Sequence, residues 1–190
     1  MGSRPESIGY GAPYEFSYPR RRLQAAGLAA TVVAIVLGTV VAALPRGGEI
    51  EFAVETASFV GLLGSFVATI VVHEGVHAIA ARALGYRVAF GVDRRLPGVY
   101  AAAFGQIVTR RDQVLIALAP LVVVDALAVA LLALGDGPLV GVGFVAFVVN
   151  TAGAVGDLYV TWRAAGLPRG SVFYDVSATE MYVFEPEGAS

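Results

Sequence analysis

Four long apolar stretches constrain this chain of 190 residues more than any other feature. They run from about Leu23 to Leu44, Ala57 to Leu84, Gln113 to Leu134 and Leu139 to Ala165. Each reaches the roughly 20 residues that a helix needs to cross a bilayer. Lipid offers no partner to a backbone N–H or C=O, so such a stretch must close its hydrogen bonds internally, as a helix does. Composition agrees: 57% of residues are hydrophobic and only 15% charged, against about 25% charged in a soluble domain. The first stretch is longer than the roughly 7–15 apolar residues of a cleaved signal, so it is expected to stay as a span. The expected fold class is all-α integral membrane, a bundle of four transmembrane helices.

Arginine placement sets the expected orientation, because basic residues collect on the cytoplasmic side. All thirteen basic residues are arginine. Arg20, Arg21 and Arg22 precede the first span, and Arg87, Arg94, Arg95, Arg110 and Arg111 lie between the second and third. The first loop, residues 45–56, holds only Arg46 against Glu49, Glu51 and Glu55, and the short turn from Gly135 to Pro138 holds no basic residue. Arg163 and Arg169 follow near the end. This alternation predicts a multi-pass protein of the cell membrane with both termini cytoplasmic. The expected organisation is a mobile cytoplasmic tail over residues 1–22, a four-span domain over 23–165 and a cytoplasmic tail over 166–190. A net charge of −2 argues against nucleic acid as a partner.

Between spans two and three, Tyr86 to Val92 and Val99 to Val108 are two β-leaning runs around Asp93-Arg94-Arg95-Leu96-Pro97-Gly98. That pattern predicts a β-hairpin. The run from Ser171 to Phe184 leans the same way without a clear partner.

The chemistry is concentrated in the second span. The chain has two histidines and no cysteine, so disulfides and thiolate metal sites are excluded. The histidines fall four apart, as His73-Glu74-Gly75-Val76-His77. For two histidines and nine glutamates in a chain of this length, chance gives this arrangement on the order of once in 2000, which makes it specific for a short motif. On a helix, residues four apart lie about 40° apart on one face. Two imidazoles so placed can share one zinc ion, and Glu74, about 100° around, can take a proton from a water on that ion.

A catalytic zinc site usually has a third protein ligand, and without further histidine or cysteine it must be a carboxylate. Besides Glu74, Asp125 and Asp157 are the acids inside the spans. At about 1.5 Å per residue, His73 and His77 lie about 24 and 30 Å below the outer face, and Asp157 about 27 Å. Asp125 lies only about 12 Å below it in a core about 30 Å thick. Depth therefore favours Asp157 as third ligand, over a helix cap after Gly153 and Gly156 or an inner-interface charge, and leaves Asp125 as a polar contact between spans. Asn150, seven residues before Asp157, shares its face, where it could hydrogen-bond Asp125, orient a substrate carbonyl or make an interhelical contact. Pro120 is expected to kink the third span.

The HEGVH element within a span, Leu84-Gly85-Tyr86-Arg87-Val88 after it, Ala117-Leu118-Ala119-Pro120, and Asn150-Thr151-Ala152-Gly153-Ala154-Val155-Gly156-Asp157 together resemble the putative zincin peptidases of small multi-span membrane proteins. The resemblance covers about residues 57–175 and extends, more distantly, to the site-2 protease family. It implies His73, His77 and Asp157 as metal ligands and Glu74 as catalytic base. Site-2 proteases usually carry Asp-Gly after an Asn-Pro segment; here Leu158 follows Asp157 and no proline intervenes.

The function expected is a zinc-dependent intramembrane endopeptidase acting on membrane-embedded or membrane-associated protein substrates. Two rivals come from other classes: a non-catalytic metal-binding membrane protein (a sensor or degenerate enzyme) and a metal transporter. Glu74 favours the enzyme, since binding alone does not need it. A transporter would be expected to place ligands at more than one depth.

Overall fold

The computed structural model describes residues 9–48, 56–93, 98–177 and 180–188. Among them are five α-helices and six short strands. The chain divides into two compact units, one of residues 19–76 and 120–156, the other of residues 1–18, 77–119 and 157–190.

The first unit is helical. It holds α1 (Arg20–Ala43), most of α2 (Thr56–Ala83), most of α3 (Arg110–Leu134) and α4 (Pro138–Gly153). Its core is built from Ala34, Ala42, Ala128, Leu132, Val140 and Phe147. Small side chains let the helix backbones approach, which is how helices pack where no water drives them together. Gly143 shows how close: a Cβ there would lie 2.7 Å from the Leu131 Cβ and 3.0 Å from the Ala128 carbonyl. Arg46 caps this unit. Its guanidinium donates to the carbonyls of Ala42 at 2.5 Å and Leu132 at 2.9 Å, and also to that of Gly135. Ala42 and Leu132 lie in the last turns of α1 and α3, whose carbonyls are left without intrahelical donors, and Gly135 directly follows α3. The only arginine of the first loop is therefore a shared helix cap as well as a charge.

α1, α2 and α3 are each long and apolar enough to cross a membrane. The expected fourth span is not one straight helix. It is α4 followed by α5 (Val155–Ala165), bent by 41° at the break between them. Gly153 and Gly156 flank that break, and glycine is a weak helix former. A bundle of four single helices is thus replaced by three long helices and a broken pair.

The second unit adds a sheet. The strands β1 (Tyr14–Glu15), β4 (Ile107–Thr109), β5 (Val172–Ser177) and β6 (Glu180–Phe184) form one antiparallel sheet in the order β1-β6-β5-β4. Side chains alternate across it with the two-residue period of a strand. Phe173, Met181 and Val183 face a core with Phe16, Val108, Ala117, Val160 and Ala164. Val172, Tyr182 and Phe184 cluster on the other face. The β-leaning C-terminal run therefore does have partners, namely β4 and β1.

The N-terminal segment differs from expectation. In its described part, Tyr14 pairs with Val183 and Glu15 with Tyr182, Phe16 is only 3% exposed, and Arg20 to Arg22 already form the first turn of α1. Four aromatic residues in a short polar stretch, Tyr10, Tyr14, Phe16 and Tyr18, supply enough apolar surface to hold it against the sheet.

The hairpin forms as expected. β2 (Ala89–Asp93) pairs antiparallel with β3 (Gly98–Ala102), from Ala89↔Ala102 to Asp93↔Gly98. Its turn, residues 94–97, lies outside the described residues. The second arm divides after Ala102, and its remainder becomes β4, which joins β5. Gly105 makes that change of partner: it has φ +68°, a conformation natural only for glycine, and its N–H meets the Asp175 carbonyl at 3.0 Å.

Candidate metal centre

α2 is one unbroken helix through the HEGVH element, so its pitch alone sets His73 and His77 one turn apart on one face. Asp157 comes from the first turn of α5, where a carboxylate is favoured by the partial positive charge of the helix N-terminus. One oxygen of Asp157 lies 3.5 Å from Nε2 of His77, and the side chains of His77 and Asp157 are only 12% and 22% exposed. One ligand atom from each of His73, His77 and Asp157 lies within 4.8 Å of the others. Two nitrogens and an oxygen at that spacing can close on one ion, since zinc bonds to such atoms at about 2.0–2.2 Å. A family described as "Putative zincin peptidase" matches residues 66–172, more than half of the chain. The chain belongs to this zincin family. No curated protein and no solved structure matches it.

The donor set suits the metal that the family name implies. What decides this is how each imidazole is held. Nδ1 of His73 meets Oδ1 of Asn150 at 2.8 Å, and Nδ1 of His77 meets the carbonyl oxygen of Ile116 at 2.8 Å. Both partners are acceptors, so both Nδ1 atoms must carry the proton, and both Nε2 atoms keep a lone pair for a cation. Metal-binding histidines are commonly held in this way, by an acceptor on the ring nitrogen away from the ion.

The acceptor for His77 exists because of Pro120. Proline has no N–H, so in a helix the carbonyl four residues before it loses its donor. In α3 that carbonyl belongs to Ile116, and the His77 ring takes the vacancy. Pro120, expected only to kink the span, thus serves the site through its missing proton. The signal was present in the sequence as a span proline, but which side chain would use the freed carbonyl depends on packing.

Asn150 is 1% exposed and is fully engaged. Its Nδ2 donates to Oδ1 of Asp125 at 2.8 Å and to the Pro120 carbonyl at 3.1 Å. The contact with Asp125 is among those weighed from the sequence; the one with His73 is not. Asp125 also accepts from the Thr151 hydroxyl at 3.0 Å. Glu74, next to His73 on α2, is half-buried.

One further group, Tyr18, reaches the surroundings of Asp157 from outside the helices, and Asp175 lies near that phenol. Burial, and then the negative charges of Asp175 and Asp157, push the Tyr18 phenol up. Burial pushes the Asp175 carboxyl up to about 7. Asp175 sits two residues after Phe173 on β5 and so shares its inward face. Neither was legible as part of this region, because both come from segments read as tails.

Proposed function

We propose that this protein is a zinc-dependent intramembrane endopeptidase. The observation that carries the proposal is the pair of imidazoles whose Nδ1 atoms are tied to acceptors while Nε2 of His77 faces the Asp157 carboxylate. In this reading His73, His77 and Asp157 hold the ion. A zinc ion there supplies polarisation of a scissile carbonyl and a water whose pKa falls towards about 7.

The residues of the chain do the rest. Glu74 accepts the proton of the attacking water and passes it to the departing amine. Asn150 and the Ile116 carbonyl keep the two rings aimed. The apolar α1, α2 and α3 place the chemistry in the bilayer, α4 and α5 together make a fourth crossing, and both termini lie in the cytoplasm. Substrates are then protein segments in or at the membrane. A substrate helix must unwind to expose a carbonyl, and the β2–β3 hairpin offers a strand edge to an extended segment.

The test is zinc content of the purified protein, measured beside cleavage of a panel of single-span substrates. About one zinc per chain and cleavage lost in Glu74→Gln are expected. Zinc bound with no cleavage of any substrate would favour the non-catalytic metal-binding reading.

A further inference from the structure

Asp125 has no part in the proposed chemistry, and depth arithmetic places it well away from the histidines. Its contacts tell otherwise. One carboxylate oxygen accepts from Nδ2 of Asn150 at 2.8 Å and the other from the Thr151 hydroxyl at 3.0 Å. Asn150 in turn presents Oδ1 to Nδ1 of His73 at 2.8 Å. A carboxylate, an amide and an imidazole thus form one chain of hydrogen bonds.

The chain has a direction. A side-chain amide can be turned end for end at little cost in shape, and the two orientations offer His73 opposite partners. With the carbonyl towards the ring, Nδ1 is protonated and Nε2 carries no proton. With the NH2 towards the ring, Nδ1 would have to accept and the proton would move to Nε2, where it blocks a metal. At its other end the amide meets two acceptors, the Asp125 carboxylate and the Pro120 carbonyl. Only NH2 can satisfy both, and a turned amide would set the oxygen of Asn150, itself only 1% exposed, against two oxygens. Unpaired buried acceptors are costly, so Asp125 holds the amide one way round.

We propose that Asp125 is a positioning residue for His73: acting through Asn150, it fixes the ring tautomer that leaves Nε2 open to a metal. The role in zinc binding rests on the function proposed above; the control of tautomer does not. Thr151 holds the second oxygen of Asp125 and so keeps the first one aimed at the amide.

The test combines two measurements on the full-length protein in detergent. The first is 15N spectroscopy of the histidine rings in the metal-free state, where a chain with two histidines gives few signals. The second is zinc affinity. In the unsubstituted protein His73 should show a protonated Nδ1. Asp125→Ala should mix the tautomers of His73, leave His77 unchanged and weaken zinc by roughly 10–100-fold, the usual effect of losing an outer partner. Asp125→Asn, which keeps an acceptor for Asn150, should restore both. Asn150→Leu should weaken zinc by as much, and adding Asp125→Ala to it should cost nothing more, since Asp125 acts only through the amide. An unchanged tautomer in Asp125→Ala, or additive losses in the double variant, would overturn the proposal. Failure of the unsubstituted protein to bind zinc would sink the peptidase reading but leave the tautomer result to decide the role of Asp125.

Discussion

The two histidines are held by the same ring atom through different chemistry. His73 leans on a side chain, Asn150, itself fixed by the carboxylate of Asp125. His77 leans on the main chain, at a carbonyl that Pro120 leaves without a helical donor. The first arrangement can be undone by changing side chains. The second cannot, because every residue has a carbonyl; it can be altered only by restoring the competing N–H. One ring therefore depends on side-chain identity and the other on backbone geometry.

The largest expected effect ignores this difference. His73→Ala and His77→Ala should each abolish zinc binding, because two remaining protein ligands rarely suffice for a tight site. Asp157→Ala should come next, with a greater loss than Asp125→Ala, since on the proposed assignment it removes a ligand rather than a positioning group. Zinc content by elemental analysis checks both statements. Equal affinity in Asp157→Ala and the unsubstituted protein would remove Asp157 from the site.

A smaller effect separates the two rings. Pro120→Ala gives residue 120 an N–H that competes with His77 for the Ile116 carbonyl. A carbonyl has two lone pairs, so the loss in zinc affinity should be only several-fold, below that of Asn150→Leu. The metal-free protein should melt at a higher temperature, because a proline inside a helix costs about 3 kcal/mol. Stability and affinity should thus move in opposite directions. If both fall, Pro120 matters for packing and not for the freed carbonyl.

What was legible in the sequence follows the same line between side-chain pattern and spatial partnership. The long apolar helices could be read because apolar length is local, and the His73–His77 pair because a helix converts a spacing of four into one face. Depth set Asp157 level with the histidines, and its carboxylate does lie beside His77. Depth also kept Asp125 apart as a polar contact, which it is, but rise along an axis says nothing of how far an intervening side chain can reach. Asn150 covers that gap. The β1 strand was hidden because two residues give no periodicity; its place depends on β6, more than 160 residues away. The break between α4 and α5 was visible as Gly153 and Gly156, yet glycine is common in spans and does not by itself announce a bend.

The smallest expected effect concerns the unit that holds His77. Asp175 is half-buried, and burial pushes its carboxyl up to about 7. Its ordinary value in an unfolded chain is about 3.9. The folded protein therefore keeps a proton that the unfolded chain has released, and between about pH 4 and pH 7 stability must fall as pH rises. The cost is absent below the unfolded value and complete above the folded one. Asp175→Asn removes the titration while keeping the shape, so the substituted protein should lose this slope. At pH 8 it should melt a few degrees higher than the unsubstituted protein, since each kcal/mol is worth about 2–4 °C in a chain of this size. At pH 4 the two should melt together. His73 and its partners lie in the other unit, so the His73 tautomer should not change with this substitution. Melting curves from pH 4 to pH 8, run on metal-free protein, decide the matter. Parallel curves offset at every pH would mean that Asp175 acts through packing, and its buried charge would play no part.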